Sequence, residues 1–522
     1  MTDTEVYING ELFDLDEDTT LVASYGNISF GELKKRKGVK TNVSSGPFSP
    51  RNKKIWEGAE VPGSFSVVPY RRATIRIDVA GVTQFEGFCS LEESHTGYNF
   101  QSYSGASDFY SLVTTKKLNL IDLSAYAHVW NETNIKNSWS NVTGYIYAFV
   151  EYGKEIPGAI MPEYLLPQLY FHTIVKAIAE TNGYTLQGEI LTNPRFLKHV
   201  LIPNTFPLAI TYGGTWDLST LLPDVMQSKV WLDFANIYGL QFDIDEPSKI
   251  IVASYIDNLL FNEGEDWTAK IDKSEKRRTK YRFDYGQSSY LKFKADSITE
   301  SNSCYQDFKK TVAIDDFNLP LEADIYKSDF YLIQDVDPVL FPDGRAITRT
   351  YVTKPGKAFL GIWDAGTAYL ASENGSVWYN GTYYKPIQDG TGDVPPSSPS
   401  FWTPIPEKDI WDIKSRPMYG ILTTDVASTI EVALTTPEII TRIINNTDLE
   451  WDNSYTLHYR VFGRIIERTK IVEELIKLNY ADINQLDFTK PKLIDNEVYL
   501  LQEVKQYKLN EKDSTICELV RL

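Results

Sequence analysis

Apolar and polar residues alternate with period two through much of this chain. In Ala73-Thr-Ile-Arg-Ile-Asp-Val every second residue is apolar, the pattern of a strand with one face in a core. Gln84 to Cys89 pairs back after an Ala80-Gly81 turn, and Tyr98 to Tyr103 is a further strand candidate. Residues 5–30 read as strand, turn, strand, with Asn9-Gly10 as the hairpin signal. Far downstream, Glu497-Val-Tyr-Leu-Leu-Gln-Glu-Val and Thr515-Ile-Cys-Glu-Leu-Val-Arg-Leu predict a closing hairpin. Lys470 to Leu478 fits two patterns: Ile471, Leu475 and Leu478 have helical spacing, while their neighbours are strand-like.

Two windows switch to a helical period. The first is 163–182, with Leu165, Leu169, Ile174 and Ile178, closed by Asn182-Gly183. The second is 216–239, with Asp217 as a cap, Pro223 as a boundary and Gly239 as the stop. Strands follow it at Leu240-Gln-Phe-Asp-Ile-Asp and Lys249-Ile-Ile-Val-Ala-Ser-Tyr. Residues 31–60 break the pattern. They are basic and turn-rich, carry Pro47 and Pro50, and read as a long exposed excursion anchored by Phe48 and Trp56. The expected architecture is mainly β with a few helices, a β-rich α+β chain of several barrel- or sandwich-like domains plus a small β insertion. Its expected units are an N-terminal β domain at 1–115, a mixed α/β domain at 116–270, a C-terminal β domain from 271–356 and 407–522, and the insertion at 357–406.

Composition changes this picture in three places. A chain of 522 residues is too long for one compact core. The formal charge of −18 opposes a coat of duplex DNA, because phosphate binding needs clustered cations. Lys34 to Lys37 and Lys273 to Lys280 are local exceptions that read as solvated loops or as docks for an acidic partner. The three cysteines, Cys89, Cys304 and Cys517, lie far apart with no CxxC pair, which fits assembly in a reducing cytoplasm. The N-terminal residues are acidic and polar, and no apolar run of about 18 residues predicts a membrane span.

Candidate chemistry is sparse. The five histidines form no HExxH or HxH motif, and neither a GxSxG elbow nor a GxxxxGK[ST] loop is present. His128, in Tyr126-Ala-His-Val-Trp, reads as structural. Asp14, Asp16 and Asp18 lack the glycine and terminal Glu of a calcium loop. Glu92-Glu93 and Asp315-Asp316 are carboxylate pairs of the kind glycosidases need, yet 70 acidic residues produce such pairs by chance. The expectation is a non-enzyme without catalytic residue, metal or cofactor.

The densest signal is residues 359–405, where Trp363, Tyr369, Trp378, Tyr379, Tyr383, Tyr384 and Trp402 crowd among glycines and prolines. Flat aromatic faces beside polar groups suit sugar rings. The spacing Val377-x-Tyr379-x-Gly381-x-x-Tyr384, then Pro395 and Trp402, resembles small chitin-binding type carbohydrate-binding modules of families 5 and 12, with Ser376 where those carry Asp. This resemblance implies glycan contact through Trp363, Trp378, Tyr383, Tyr384 and Trp402.

Three further stretches share a second resemblance. They are residues 38–115, Leu123-Ser-Ala-Tyr-Ala-His-Val-Trp-Asn-Glu with Tyr147-Ala-Phe-Val-Glu-Tyr-Gly, and Leu478-Asn-Tyr-Ala-Asp-Ile-Asn-Gln-Leu-Asp-Phe with the closing hairpin. Together they resemble baseplate-hub or tail-tip proteins of phages of Bacteroidota. That implies domains of tail-hub type around a tail axis and a homo-oligomeric ring, a trimer. It also implies contacts with the tail tube and other baseplate proteins, and a place in the virion after assembly in the host cytoplasm. Phe48, Arg51 and Trp56, aromatic rings among cations, are the expected subunit contacts. The rival readings are a glycan-binding adhesin and a glycoside hydrolase with an unrecognised active site.

Overall fold

The structure, a computed structural model, describes residues 4–16, 19–26, 38–104, 106–148, 150–151, 162–203, 210–245, 248–281, 288–294, 308–311, 322–332, 336–340, 346–351, 354–355, 359–373, 375–405, 411–412, 420–423, 429–432, 438–441, 449, 451–467, 470–509, 511 and 513–522. The Lys34–Lys37 run, Asp18, Cys304 and Asp315-Asp316 lie outside them.

Among the described residues the fold is mainly β with eight α-helices. Its N-terminal part contains β1 (Thr4–Ile8), β2 (Glu11–Phe13), β3 (Val22–Gly26), β4 (Val39–Thr41), β5 (Ser44–Gly46), β6 (Ala73–Val79), β7 (Val82–Ser94) and β8 (Tyr98–Ser104). These belong to a 14-stranded sheet. Its main path runs Arg278–Tyr281, Lys470–Ile476, Thr515–Arg521, Glu497–Lys508, β3, β4, β8, β7, β6, β1, β2. Strands from both ends of the chain therefore share one sheet, with Tyr25 of β3 opposite Val504. Lys470–Ile476 resolves as a strand because its alternate residues face the sheet's core, with Val472 and Ile476 buried.

Local sequence explains the hairpins. Asn9-Gly10, Ala80-Gly81, Asn380-Gly381 and Asp495-Asn496 all take positive φ at both turn positions. This turn matches the strands' own twist, so each pair joins antiparallel neighbours directly. In β6, Ala73, Ile75, Ile77 and Val79 are buried while Thr74 and Arg76 face water.

The β-rich α+β class holds, and among the described residues no barrel closes. The main sheet is open, with Arg278–Tyr281 at one edge and β2 at the other. Strand β2 has three residues, and helix α1 (Pro50–Ile55) packs on it instead of another strand. The buried Asn52 side chain accepts from the Asp14 amide (2.9 Å) and donates to the carbonyls of Asp14 (2.8 Å) and Pro47 (2.9 Å). One side chain thus satisfies backbone groups just beyond an edge strand.

Two large cores lie on the two sides of this arrangement. One, under the sheet, contains Ile75, Phe100, Trp56, Trp267, Tyr499 and Leu519 among others. The other fills a helical body around the helices Phe171–Thr181 and Gln227–Ile237. Both helices start later than their apolar periodicity predicts. Pro167 precedes a short strand, Gln168–Tyr170, so the first helix begins only at Phe171. Asp217 caps a 3-10 turn, Leu218–Leu221, and Pro223 separates it from the second helix. The hairpin Leu240–Asp245 with Ile250–Tyr255 follows as the sequence predicts. Asp108 joins the two bodies: its carboxylate accepts from Arg72 (2.6 Å), at the start of β6, and from Tyr184 (2.8 Å), with Lys249 at 3.4 Å.

The aromatic segment forms a four-stranded sheet, Phe359–Ile362, Ser376–Tyr379, Thr382–Pro386 and Trp402–Ile405. Just outside it, Lys354 pairs with Asp412 and Pro355 with Trp411. The segment therefore leaves and rejoins the chain at one two-stranded stem.

Candidate functional site

The sequence marks Phe48, Arg51 and Trp56 of the basic excursion as docking groups. Pro50 starts α1 and the Ser49 hydroxyl accepts from the Asn52 amide, so a helix forms in what reads as an exposed excursion. That helix turns Trp56 inward, where it is fully buried, 6.2 Å from the Tyr98 ring. Phe48 packs edge-on against the same ring at 4.9 Å. Arg51, half exposed, pairs with Asp14. The expectation that Trp56 contacts a neighbouring subunit is corrected: the ring belongs to the core of its own chain. Asp14 and Asp16 are likewise occupied, Asp14 by Arg51 and Ser49, Asp16 by Ser45 (2.8 Å).

The surface apolar groups lie ten residues further on. Phe65 is fully exposed and Tyr70 is 89% exposed. Their signal in the sequence is an apolar run broken by Pro62, Gly63 and Pro69, next to a more basic stretch that carries the stronger docking pattern.

In the aromatic module, strand register divides the candidate glycan residues between two faces. Val377 faces Tyr384, and Pro386 faces Trp402. Val377 and Trp402 with Tyr369 make the small core, and Trp363 and Tyr384 pack against it. Trp402 is 5% exposed, and its indole N–H donates to the Asp393 carbonyl (2.7 Å). Trp402 is therefore a core ring, and its assignment as a sugar contact is corrected. Trp363 lies edge-on to Tyr379 at 5.3 Å. On the opposite face Trp378 is half-buried and sits across from Tyr383, which is 7% exposed. Of the five candidates, Trp378 is the ring that sits partly in water on a face the module's core does not use.

Three histidines, His128, His199 and His458, are held in place by ring contacts and hydrogen bonds. His128 stacks on Tyr145 at 3.8 Å, and its ring nitrogens bond the Tyr126 carbonyl (2.9 Å) and the Tyr147 hydroxyl (2.8 Å). Burial holds it below the usual histidine range. His199 and His458 line a cleft of about 440 Å³ with Arg195, Asn193 and Tyr255. Burial depresses them to about 3 and about 4. Both are neutral at physiological pH, and His458 lies flat on Tyr255 at 4.9 Å. Glu92 and Glu93 are simply exposed. Among the described residues no group of three His, Cys, Asp or Glu side chains is placed to hold a metal. Cys89 and Cys517 are buried free thiols, and burial pushes Cys89 up to about 12. Among the described residues no helix is long and apolar enough to cross a membrane.

One buried carboxylate escaped sequence reasoning. Asp233, on the helix Gln227–Ile237, accepts from the hydroxyls of Tyr326 (2.6 Å) and Ser328 (2.7 Å) and from the Asp329 amide (3.2 Å). Burial raises it to about 7 despite these donors. It pins a distant segment to the helical body, and no local pattern could have announced a partner some ninety residues away.

No protein-family model matches the chain, and no curated protein does. Solved structures do match. The 43 kDa tail protein of prophage MuSo2 from Shewanella oneidensis aligns over 100% of this chain and 97% of its own, at 5% identity and a TM-score of 0.37. A tail protein from Neisseria meningitidis MC58 aligns over 100% of this chain and 96% of its own, at 9% identity and a TM-score of 0.27. Both are tail proteins. Likeness at this level defines neither a common fold nor a common activity.

Proposed function

We propose that this chain is a structural protein of a phage tail, at the baseplate hub or tail tip, assembled in the host cytoplasm and carried in the virion. It links the tail tube to peripheral tail proteins, self-assembles as a ring, a trimer, and performs no covalent chemistry. The observation that carries this reading is the framework sheet. Strands from both ends of the chain weave one 14-stranded sheet, and a separate β module stands on a two-stranded stem. Such a frame fixes surfaces in space, and its buried histidines and the Asp233 carboxylate are used for packing.

The test is direct. A tagged chain expressed while particles are being made should co-sediment with gradient-purified particles, with gold label at the tail end distal to the head. Particles free of the chain, or release of reducing sugars from cell-surface polysaccharide by the purified protein, overturn the proposal.

A second reading has one observation in its favour. Trp378, partly exposed beside Tyr383 on the module's outer face, is a flat ring suited to host-surface polysaccharide. In that reading the module adds host-glycan contact to the tail role, or makes the chain an adhesin in its own right. Glycan-array binding lost in Trp378→Ala, with the module still folded, distinguishes it from a purely decorative insertion.

A further inference from the structure

Among the described residues the two most exposed large apolar side chains, Phe65 and Tyr70, share one loop. In residues 61–70, Phe65 is fully exposed, Tyr70 89%, and Val61 and Val67 53% and 49%. The loop is fixed by its own bonds. Ser66 donates its hydroxyl to the Glu57 carboxylate (3.0 Å) and accepts from the Val68 amide (3.1 Å). A 3-10 turn, Val68–Tyr70, orders the far side. Its root is anchored by Arg72, which bonds Asp108 and lies over the Phe88 ring at 4.4 Å. An ordered loop that keeps aromatic rings in water, beside the exposed Arg71, has the composition of an interface core.

Charge indicates what covers it. Of the six Lys or Arg in residues 38–72, four already pair within the chain, Arg51 with Asp14, Lys53 with Glu60, Lys54 with Glu11 and Arg72 with Asp108, while the exposed Arg71 stands beside Tyr70 on a chain whose net charge is −18. Arg71 is thus the cation at this loop that calls for an acidic partner, and a second copy of this acidic chain supplies one. One stretch of it matches in chemistry. Phe261 is 82% exposed, and the exposed Glu263 and Asp266 follow it. This loop too is fixed: the Phe261 amide donates to the Asn258 carbonyl (2.9 Å), and the Asn262 side chain donates to the Thr489 carbonyl (2.9 Å). Each loop is bare in the single chain, so neither covers the other.

We propose that the Phe65–Arg71 loop of one copy docks on the Phe261–Glu263 loop of a second copy. Aromatic ring meets aromatic ring, and Arg71 meets Glu263. The contact joins two different patches, so copies associate head to tail, the geometry from which closed rings are built. The choice of a second copy rests on the oligomeric reading above; the location of the contact rests on exposure and charge.

Sedimentation velocity on the full chain at low and high salt tests this. The wild type should associate with concentration, more tightly at low salt. Phe65→Ser with Tyr70→Ser should weaken association at least tenfold with an unchanged thermal transition, because both side chains already lie in water. Arg71→Glu and Glu263→Arg should each weaken it, and combining them in one chain should restore it. A wild type that stays monomeric at every concentration overturns the proposal. So does a double charge reversal no better than either single change, and so does flotation of a monomer with phosphatidylglycerol vesicles through Phe65, which would make the partner a membrane. A chain that is monomeric in solution yet labels tails sinks this contact and leaves the tail reading standing. Intact association without tail labelling does the reverse.

Discussion

Asp233 shows how much a single buried group contributes. Its carboxyl is raised to about 7 in the folded chain, against an ordinary value of 3.8. The folded state therefore holds its proton over a range where the unfolded state has lost it. The stability this supplies is complete below about pH 4 and disappears as pH rises through 7. At about 1.4 kcal/mol per unit the swing is at most about 4 kcal/mol. The depressed histidines act in the opposite direction, losing stability as pH falls below 6.5, so the wild-type profile alone does not isolate Asp233. Comparison with Asp233→Asn does. The stability difference between the two proteins, from urea unfolding at pH 5 and pH 8, should shift against the wild type at the higher pH; a constant difference would show that Asp233 is ionised throughout. Asn52 is a second such residue. Asn52→Leu leaves the Asp14 amide and carbonyl and the Pro47 carbonyl without their partner and should cost about 2–4 kcal/mol in urea unfolding. Trp56→Ala should cost about 3–5 kcal/mol by cavity formation, and a loss under 1 kcal/mol would mean the ring is not in the core.

Elements were legible wherever a local rule decides them. The hairpins at Asn9-Gly10 and Ala80-Gly81 and the alternation in Ala73–Val79 needed only neighbours in sequence. The helix starts did not, because apolar spacing runs on through Leu165 and Leu169 although Pro167 and strand pairing stop the helix there. Helix α1 hid inside a run that composition marks as a loop, and its cap, Ser49 followed by Pro50, was the signal overlooked. The sequence marks the aromatic segment but not which of its rings face inward, because that depends on register with Thr382–Pro386. The stem pairing predicts that residues 357–406 can be replaced by a short Gly/Ser linker with cooperative unfolding retained. A variant that is insoluble or melts without cooperativity would show that the module supports the rest of the fold.

At the scale of the whole molecule, charge sets the partners. A chain at −18 should not retain duplex DNA on a filter at physiological salt. Tight binding that weakens steeply with added salt would contradict this and draw attention to the cations of residues 38–72. Global topology was the least legible property of all. Nothing in Val22–Gly26 names Glu497–Lys508 as its neighbour, since strand partners are chosen by burial and register across the entire chain.

That pairing has a consequence for biosynthesis. Strand β3 leaves the ribosome long before the strand it must join, and at about 5–20 residues per second the wait is on the order of 25–100 s. During that time the nascent N-terminal strands present an open edge to solvent. The yield of folded chain should therefore depend on what shelters β3 during translation. A message cut before Glu497 should give aggregates, and supplying the missing hairpin as a separate peptide during synthesis should recover soluble protein.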